Sequence, residues 1–463
     1  MKPFGRTFFF LLSIVSVSLS AQDTRSVKEP VLPPVCTTLK SALTTASATS
    51  GEIETRADKS GPANSGLDTA RIQSALNHCD KGHAVELAPN AANTAFLTGP
   101  ILLRPGVALL LDKAVTLYAT RNPEAYALTP GSCGLVNDAP TGCRPLITVL
   151  HATSSAIMGD GVIDGQGGSP LIVDGKPTTK SWFDLGDDAR TVGRAQSPRL
   201  IDADLSDDFT LYRITLRNAP NLHVSFHRGE GFTVWGIRID TPKSARNTDG
   251  IVVEQARNIT IAQSFLRTGD NNIAIKAGDG PTTGITLQHN HLYWGRGLNL
   301  GDDTTAGVSQ MRVQDLSIDG AENGLRIRSN AGHGGLVEDV IYDDVCIRNA
   351  KSPILFDAAF SFPGKANTTL PVYRDIGLRN VRISGGGKIQ LNGFDATHRI
   401  AVTFDGVLLL DSPDHYRAQT IHADVTFGPG PVNVVFTGDD STANGKEVRG
   451  SLPGCSEKFV PFP

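Results

Sequence analysis

The chain has 463 residues, a net charge of −4, and 40% hydrophobic and 6% aromatic residues. This composition fits a globular protein with a sizeable core, and the near-balanced charge gives no reason to expect a nucleic-acid partner. The 48 glycines exceed the usual share of about 7%, which points to many tight turns.

Residues 1–21 read as a secretory signal. Lys2 and Arg6 supply the positive start, FFFLLSIVSVSLSA the apolar core, and Ser18-Leu19-Ser20 the small residues for cleavage near Ser20 or Ala21. That apolar run of 14 residues is shorter than the roughly 20 needed to span a bilayer. The mature chain is therefore expected outside the cytoplasm, extracellular or periplasmic, with no membrane attachment, as a monomer. Six cysteines, an even count in an exported chain, imply disulfides. About 15 pairings are possible. Cys36–Cys79, Cys133–Cys143 and Cys346–Cys455 are preferred, and the short Cys133–Cys143 loop is the strongest local guess. Scattered histidines and the lack of a Cys-x-x-Cys pair argue against a metal site.

Residues 22–61 form a Ser/Thr/Ala-rich segment with little apolar periodicity and read as mostly surface. DTARIQSALNHC (68–79) places Ile72, Ala75 and Leu76 at helical spacing behind Asp68, a potential N-cap, and would form a short capping helix. From about residue 84 the pattern changes to short alternating runs (AVEL, PILL, VALLLD, AVTLYA) bounded by turn residues, the signature of strands.

These runs then repeat. GFTVWGIRID begins at Gly231, NITIAQSFLR at Asn258, GITLQHNHLY at Gly284, VQDLSIDGAE at Val313 and LVEDVIYDDV at Leu336, at intervals of 27, 26, 29 and 23 residues. Most units carry a second short strand: GIVVEQ, NIAIKA, GLNLGD, GLRIRS, PILFDA. Two or three short strands per repeat with no long helix predict an all-β chain, a single right-handed parallel β-helix over residues 62–463. Propeller blades would need about 40–45 residues per repeat.

In such a solenoid, residues one coil apart stack in columns. Beside the second strand lie Asn247-Thr248-Asp249-Gly250, Gly269-Asp270-Asn271-Asn272, Gly295-Arg296-Gly297 and Arg326-Ile327-Arg328. Strand alternation sends Ile273 and Ile275 inward and Lys276 outward, and likewise Leu325 and Ile327 inward with Arg326 and Arg328 outward. Any one of these residues alone is explained by turn geometry or a solvated face. Four clusters near the repeat spacing predict a surface strip with acids on one side and cations on the other.

The same four motifs, in this order, resemble glycoside hydrolase family 28, the polygalacturonases. So do DTARIQSALNHC, FLTGPILLRPGVALLLD, GDGVIDGQG (159–167) and PNLHVSF (220–226), covering about residues 34–360. The resemblance implies a hydrolase that cleaves a galacturonate-containing pectic polysaccharide or oligosaccharide with inversion, without a cofactor. An inverting enzyme pairs a carboxylic acid on the leaving oxygen with a carboxylate that activates water. Carried over by position, Asp270 resembles the acid and Asp249 the base, with Asn271 beside them. Asn247, Lys276, Arg296, Arg326 and Arg328 would bind substrate, since cations anchor the carboxylate of each galacturonate.

Three positions depart from the family pattern, and a tyrosine that the pattern places near the next coil's second strand is not evident in ILFDAAF (354–360). Asn271 stands where a second aspartate is expected, Arg296 where a histidine is expected, and Arg328 where a lysine is expected. An amide can orient water but cannot take its proton, and arginine does not titrate near neutral pH as histidine does. Altered specificity, a different pectic backbone such as rhamnogalacturonan, or a catalytically weak protein that binds acidic glycans are the alternatives these departures raise. Gly301-Asp302-Asp303 and Gly332-His333-Gly334 spell the missing motifs at the wrong places. Turn chemistry is the favoured reading of both, with Asp303 kept as a secondary candidate carboxylate. A pectate lyase on the same fold would need a calcium-binding carboxylate cluster, for which the acids are too few and too spread.

Overall fold

A computed structural model describes residues 23–60, 66–191, 193–361, 369–446 and 448–463. The signal read at residues 1–21 lies outside the described residues. Thirty strands pair side by side, almost wholly in parallel, in one sheet wound into a β-helix, and parallel connections of this kind are right-handed. The alternation read from sequence places the core. Ile251, Ile273, Leu298, Leu325, Ile354 and Ile389 stack as register partners along one column, and each is at most 1% exposed. Phe226 and Phe232 stack inside the coil at 4.4 Å between ring centres, an offset-ring contact that adds to area burial.

Register corrects the repeat. Phe232 pairs with Ile259, Ile259 with Ile285, Ile285 with Met311 and Met311 with Val340, so successive coils are 27, 26, 26 and 29 residues long. The equivalents of Gly231, Asn258 and Gly284 are therefore Gln310 and Asp339, three residues away from the expected starts at Val313 and Leu336. All five share one corner with left-handed backbone, φ of 85°, 57°, 69°, 57° and 51°. The corner fixes a conformation that glycine adopts freely and Asn or Asp tolerate. A glutamine there carries no sequence signal, which is why the spacing misled.

The segment before residue 62 is mostly exposed, as read from sequence, yet it carries regular structure that is tied to the solenoid. Val35–Lys40 pairs in parallel with Ala84–Ala88, and short helices follow at Thr45–Thr49 and Glu52–Ser60. Glu54 is fully buried and takes two hydrogen bonds from the Arg121 guanidinium, at 3.0 and 2.8 Å, and a third from the Arg121 backbone N–H. The predicted helix forms at Thr69–His78 and buries Ile72 and Leu76 in the main core. Asp68 does not cap it by its side chain. Its carboxylate instead accepts from Leu97 N–H at 2.8 Å and from Arg71 at 2.6 Å, tying the helix to the neighbouring strand. The three preferred disulfides are the ones present. Among the described residues no helix is long and apolar enough to cross a membrane.

Candidate active site

The site lies on four successive strands: Ile251–Glu254, Ile273–Lys276, Leu298–Gly301 and Asn323–Arg328. Asp249, Asn271 and Arg296 each stand two residues before paired strand positions, Ile251, Ile273 and Leu298. They therefore form the true column, with Asp270 one residue earlier. Arg326 belongs to a second column, as register partner of Asn299.

Within this frame one amide joins the two halves of the site. Asn271 donates its side-chain N–H to Oδ1 of Asp249 at 2.5 Å and accepts from Arg326 Nη2 on its carbonyl. Its backbone N–H donates to Asp270 Oδ1 at 2.9 Å. Arg296 meets Asp270 Oδ2 at 3.2 Å, with Glu322 3.7 Å from its Nε. Burial, followed by the negative charge of Asp270, pushes Asp249 up to about 6, against the pull of Lys276, Asn271 and Arg296.

Backbone contacts hold this arrangement. Thr248 donates its hydroxyl to Ala245 O at 2.7 Å and accepts from Gly269 N–H at 3.0 Å, so the turn carrying Asp249 is bonded to the glycine before Asp270. Gly269 fits only without a side chain: a Cβ would lie 1.7 Å from Ala245 O. Behind the turn, buried His223 offers both its backbone N–H and ring Nδ1 to Asp249 O, each at 2.9 Å, and its Nε2 meets Thr241 Oγ1 at 2.7 Å. Desolvation holds that imidazole down at about 4, so it stays neutral and its role is structural.

The predicted cations divide. Arg296 is 35% exposed, and Lys276 is half-buried with no ion pair among the described residues. Arg326 is the most buried of them, at 3% exposure, with Nε on Asn299 at 2.8 Å and Nη2 on Asn271. Burial holds its guanidinium down at about 10. Arg328 is paired with Asp302 and stacks over the Phe360 ring at 4.1 Å. Asp303 closes a turn, accepting from Thr305 N–H and hydroxyl at 3.1 and 2.7 Å. The His333 carbonyl accepts from Thr304 N–H and the Ser329 hydroxyl, so that literal motif serves loop docking. Asn247 is exposed with φ of 57° beside the groove.

Sequence reasoning missed Asn299, Glu322 and the groove on the other side of Asp249. Asn299 could have been found by stacking GLNLGD over GLRIRS. The groove could not, because one wall comes from segments that do not repeat.

The chain matches the model of "Glycosyl hydrolases family 28" over residues 106–426. It is 40% identical over 402 residues to an endo-polygalacturonase of Pectobacterium parmentieri, covering 86% of this chain and 92% of the relative. A polygalacturonase of Ralstonia solanacearum is 35% identical, with 94% and 92% covered. The solved polygalacturonase from Erwinia carotovora ssp. carotovora superposes with a TM-score of 0.75 at 37% identity, over 90% of this chain and all of that one. On a parallel β-helix whose four site motifs fall on consecutive coils, these matches place the chain in glycosyl hydrolase family 28, and it is a glycoside hydrolase.

Proposed function

We propose that the protein is exported and hydrolyses galacturonate-containing pectic chains with inversion, using Asp270 as acid and Asp249 as base. The observation that carries this is the pairing of two buried carboxyl groups from adjacent coils, with the charges of Arg296 and Lys276 beside them. Inversion needs a proton donor at the leaving oxygen and an acceptor for the proton of the attacking water on the opposite face. Asp249, held in place by Asn271, supplies the acceptor once ionised. Asn271 orients the water without taking its proton. A sugar carboxylate docking on Arg296 draws that guanidinium off Asp270, so the acid is uncovered as substrate arrives. Arg326 keeps Asn271 oriented through its carbonyl. The relatives named polygalacturonase support galacturonan as the substrate, and three disulfides support export.

Release of reducing ends from homogalacturonan and rhamnogalacturonan, measured side by side for the wild type, Asp249→Asn and Asp270→Asn, tests this. Homogalacturonan cleavage lost in both variants is expected. Tight binding of either polymer by the wild type without turnover would make the protein an acidic-glycan binder, the reading that Asn271 in place of a carboxylate favours.

A further inference from the structure

The segment from Pro453 to Phe462 forms a strap that runs back across the coils toward the two acids. Arg382 Nη1 donates to Pro453 O at 3.4 Å, Cys455 is bonded to Cys346, and Lys458 pairs with Asp315 and Asp344. The Arg348 guanidinium carbon lies 4.2 Å from the Phe459 ring centre, and Val460 O accepts from the Tyr293 hydroxyl at 2.9 Å. The Phe462 ring then meets Tyr293 edge-on at 5.3 Å and the Arg267 guanidinium carbon at 4.0 Å. Arg382, Cys346, Ser317, His291 and Phe265 are register partners on successive coils. The strap therefore crosses all of these coils and reaches the one that carries Asp270.

What it reaches is the backbone leading into two of the site turns. Arg267 stands directly before Thr268-Gly269-Asp270-Asn271, and Trp294 directly before Gly295-Arg296. The Arg267 fork is spent on Asp240, at 2.5 and 3.0 Å, and its guanidinium carbon lies 4.5 Å from the Trp294 ring centre. Trp294 in turn holds the chain on both sides of the acid. Its carbonyl accepts from the Thr268 N–H and from the Asn272 side chain, each at 3.1 Å, and its indole N–H donates to Thr241 O at 3.0 Å. Arg296 N–H donates to Asp270 O at 2.9 Å. Arg267 is 26% exposed, and a cation–ring contact gains strength as water is withdrawn from it.

We infer that Phe462 is a positioning residue for the reaction: its ring holds Arg267 against Trp294, and that pair fixes the turn that sets Asp270 opposite Asp249. This rests on the acid–base reading of the two aspartates and adds to it a residue that touches neither acid. The disulfide to Cys346 and the ion pairs of Lys458 fix the path of the strap, so the ring is brought to Arg267 already placed. Rate is sensitive to such placement, since a shift of about 1 Å can cost roughly a hundredfold.

Phe459 and Phe462 are both half-buried, so either can be truncated without opening the core. Phe462→Ala is expected to lower kcat on homogalacturonan about tenfold, short of a full misplacement, with KM unchanged because the ring acts on the acid and not on the substrate. Phe462→Tyr keeps the aromatic face and is expected to recover the wild-type kcat. Phe459→Ala removes the strap's other ring contact and should lower the melting temperature while leaving kcat as in the wild type. Amide hydrogen exchange reads the same placement without turnover: residues 267–272 should exchange faster in Phe462→Ala and not in Phe459→Ala. A wild type that cleaves no galacturonan refutes the function and leaves the exchange result to decide the positioning. Unchanged exchange at 267–272 in Phe462→Ala overturns the inference. An equal loss of kcat in Phe459→Ala, or no recovery in Phe462→Tyr, overturns it too, since the strap would then stabilise the fold without placing the acid.

Discussion

The side-chain amide of Asn271 donates to Oδ1 of Asp249 at 2.5 Å while its carbonyl accepts from Arg326. An aspartate at 271 would satisfy Arg326 equally well but would set a second negative charge against Asp249. The amide therefore spares the site a like-charge contact and gives up a possible proton acceptor. Asn271→Asp is expected to raise kcat on homogalacturonan about tenfold, less than the roughly hundredfold or more of a full base because Asp249 already supplies one. Reducing-end assays check this; an unchanged or lower kcat would mean that the amide is the better partner for Asp249.

Asp249 pushed up to about 6 sets a pH dependence. As a base it must be ionised, so kcat/KM should fall about tenfold per pH unit below 6, and the limb should disappear in the residual activity of Asp249→Asn. Stability runs the other way. A carboxyl raised in the folded state holds its proton more tightly there than in the unfolded chain. It therefore costs stability progressively from about pH 4 to 6, reaching up to about 3 kcal/mol above that window. Asp249→Asn should melt higher than wild type at about pH 7, and the gap should close toward about pH 4. Thermal scans at the two pH values decide it.

Gly269 has no room for a side chain, because Ala245 O would lie 1.7 Å and Thr248 Oγ1 2.7 Å from a Cβ. Gly269→Ala must push apart the turns that carry Asp249 and Asp270. An overpacking loss of about 1–3 kcal/mol is expected, with kcat falling at least as far as KM rises. Full activity at wild-type stability would show that the two turns are not coupled through this contact.

Arg326 is buried and spends two of its nitrogens on Asn271 and Asn299. Lysine has a single point donor in place of the planar fork that reaches Asn299 from Nε and Asn271 from Nη2. Arg326→Lys should therefore lower kcat with little change in KM, and a rise in KM alone would return Arg326 to the substrate-binding cations.

The Cys133–Cys143 loop supports the groove wall through Gln196. Replacing both cysteines with serine should cost about 2–3 kcal/mol by the chain-entropy argument for a loop of this length. KM should rise more than kcat falls, because the wall moves and the acids do not. Denaturant melts with steady-state kinetics separate the two effects.

What the sequence determined by itself was whatever local alternation and repetition encode. The inward ladder from Ile251 to Leu325, the outward Lys276 and the four motif clusters follow from a period of two within strands and a near-constant coil. The departures at Asn271, Arg296 and Arg328 were equally legible, since they are single-letter differences inside recognisable motifs. Tertiary structure alone decided the rest. Coil register depended on left-handed corners at Gln310 and Asp339, and the glutamine carries no residue preference that would mark one. Arg326 points outward from its strand, as alternation requires, yet is covered by Asn271 and Asn299 from the neighbouring coils. Asp302 serves Arg328 and Asp303 a turn, although both copy a catalytic motif in letters. The groove beside Asp249, lined by Ser197 and Arg246, joins a non-repeating wall to a repeating floor. Contacts between segments far apart in the chain depend on where each backbone turns, and side-chain identity along one segment does not carry that information.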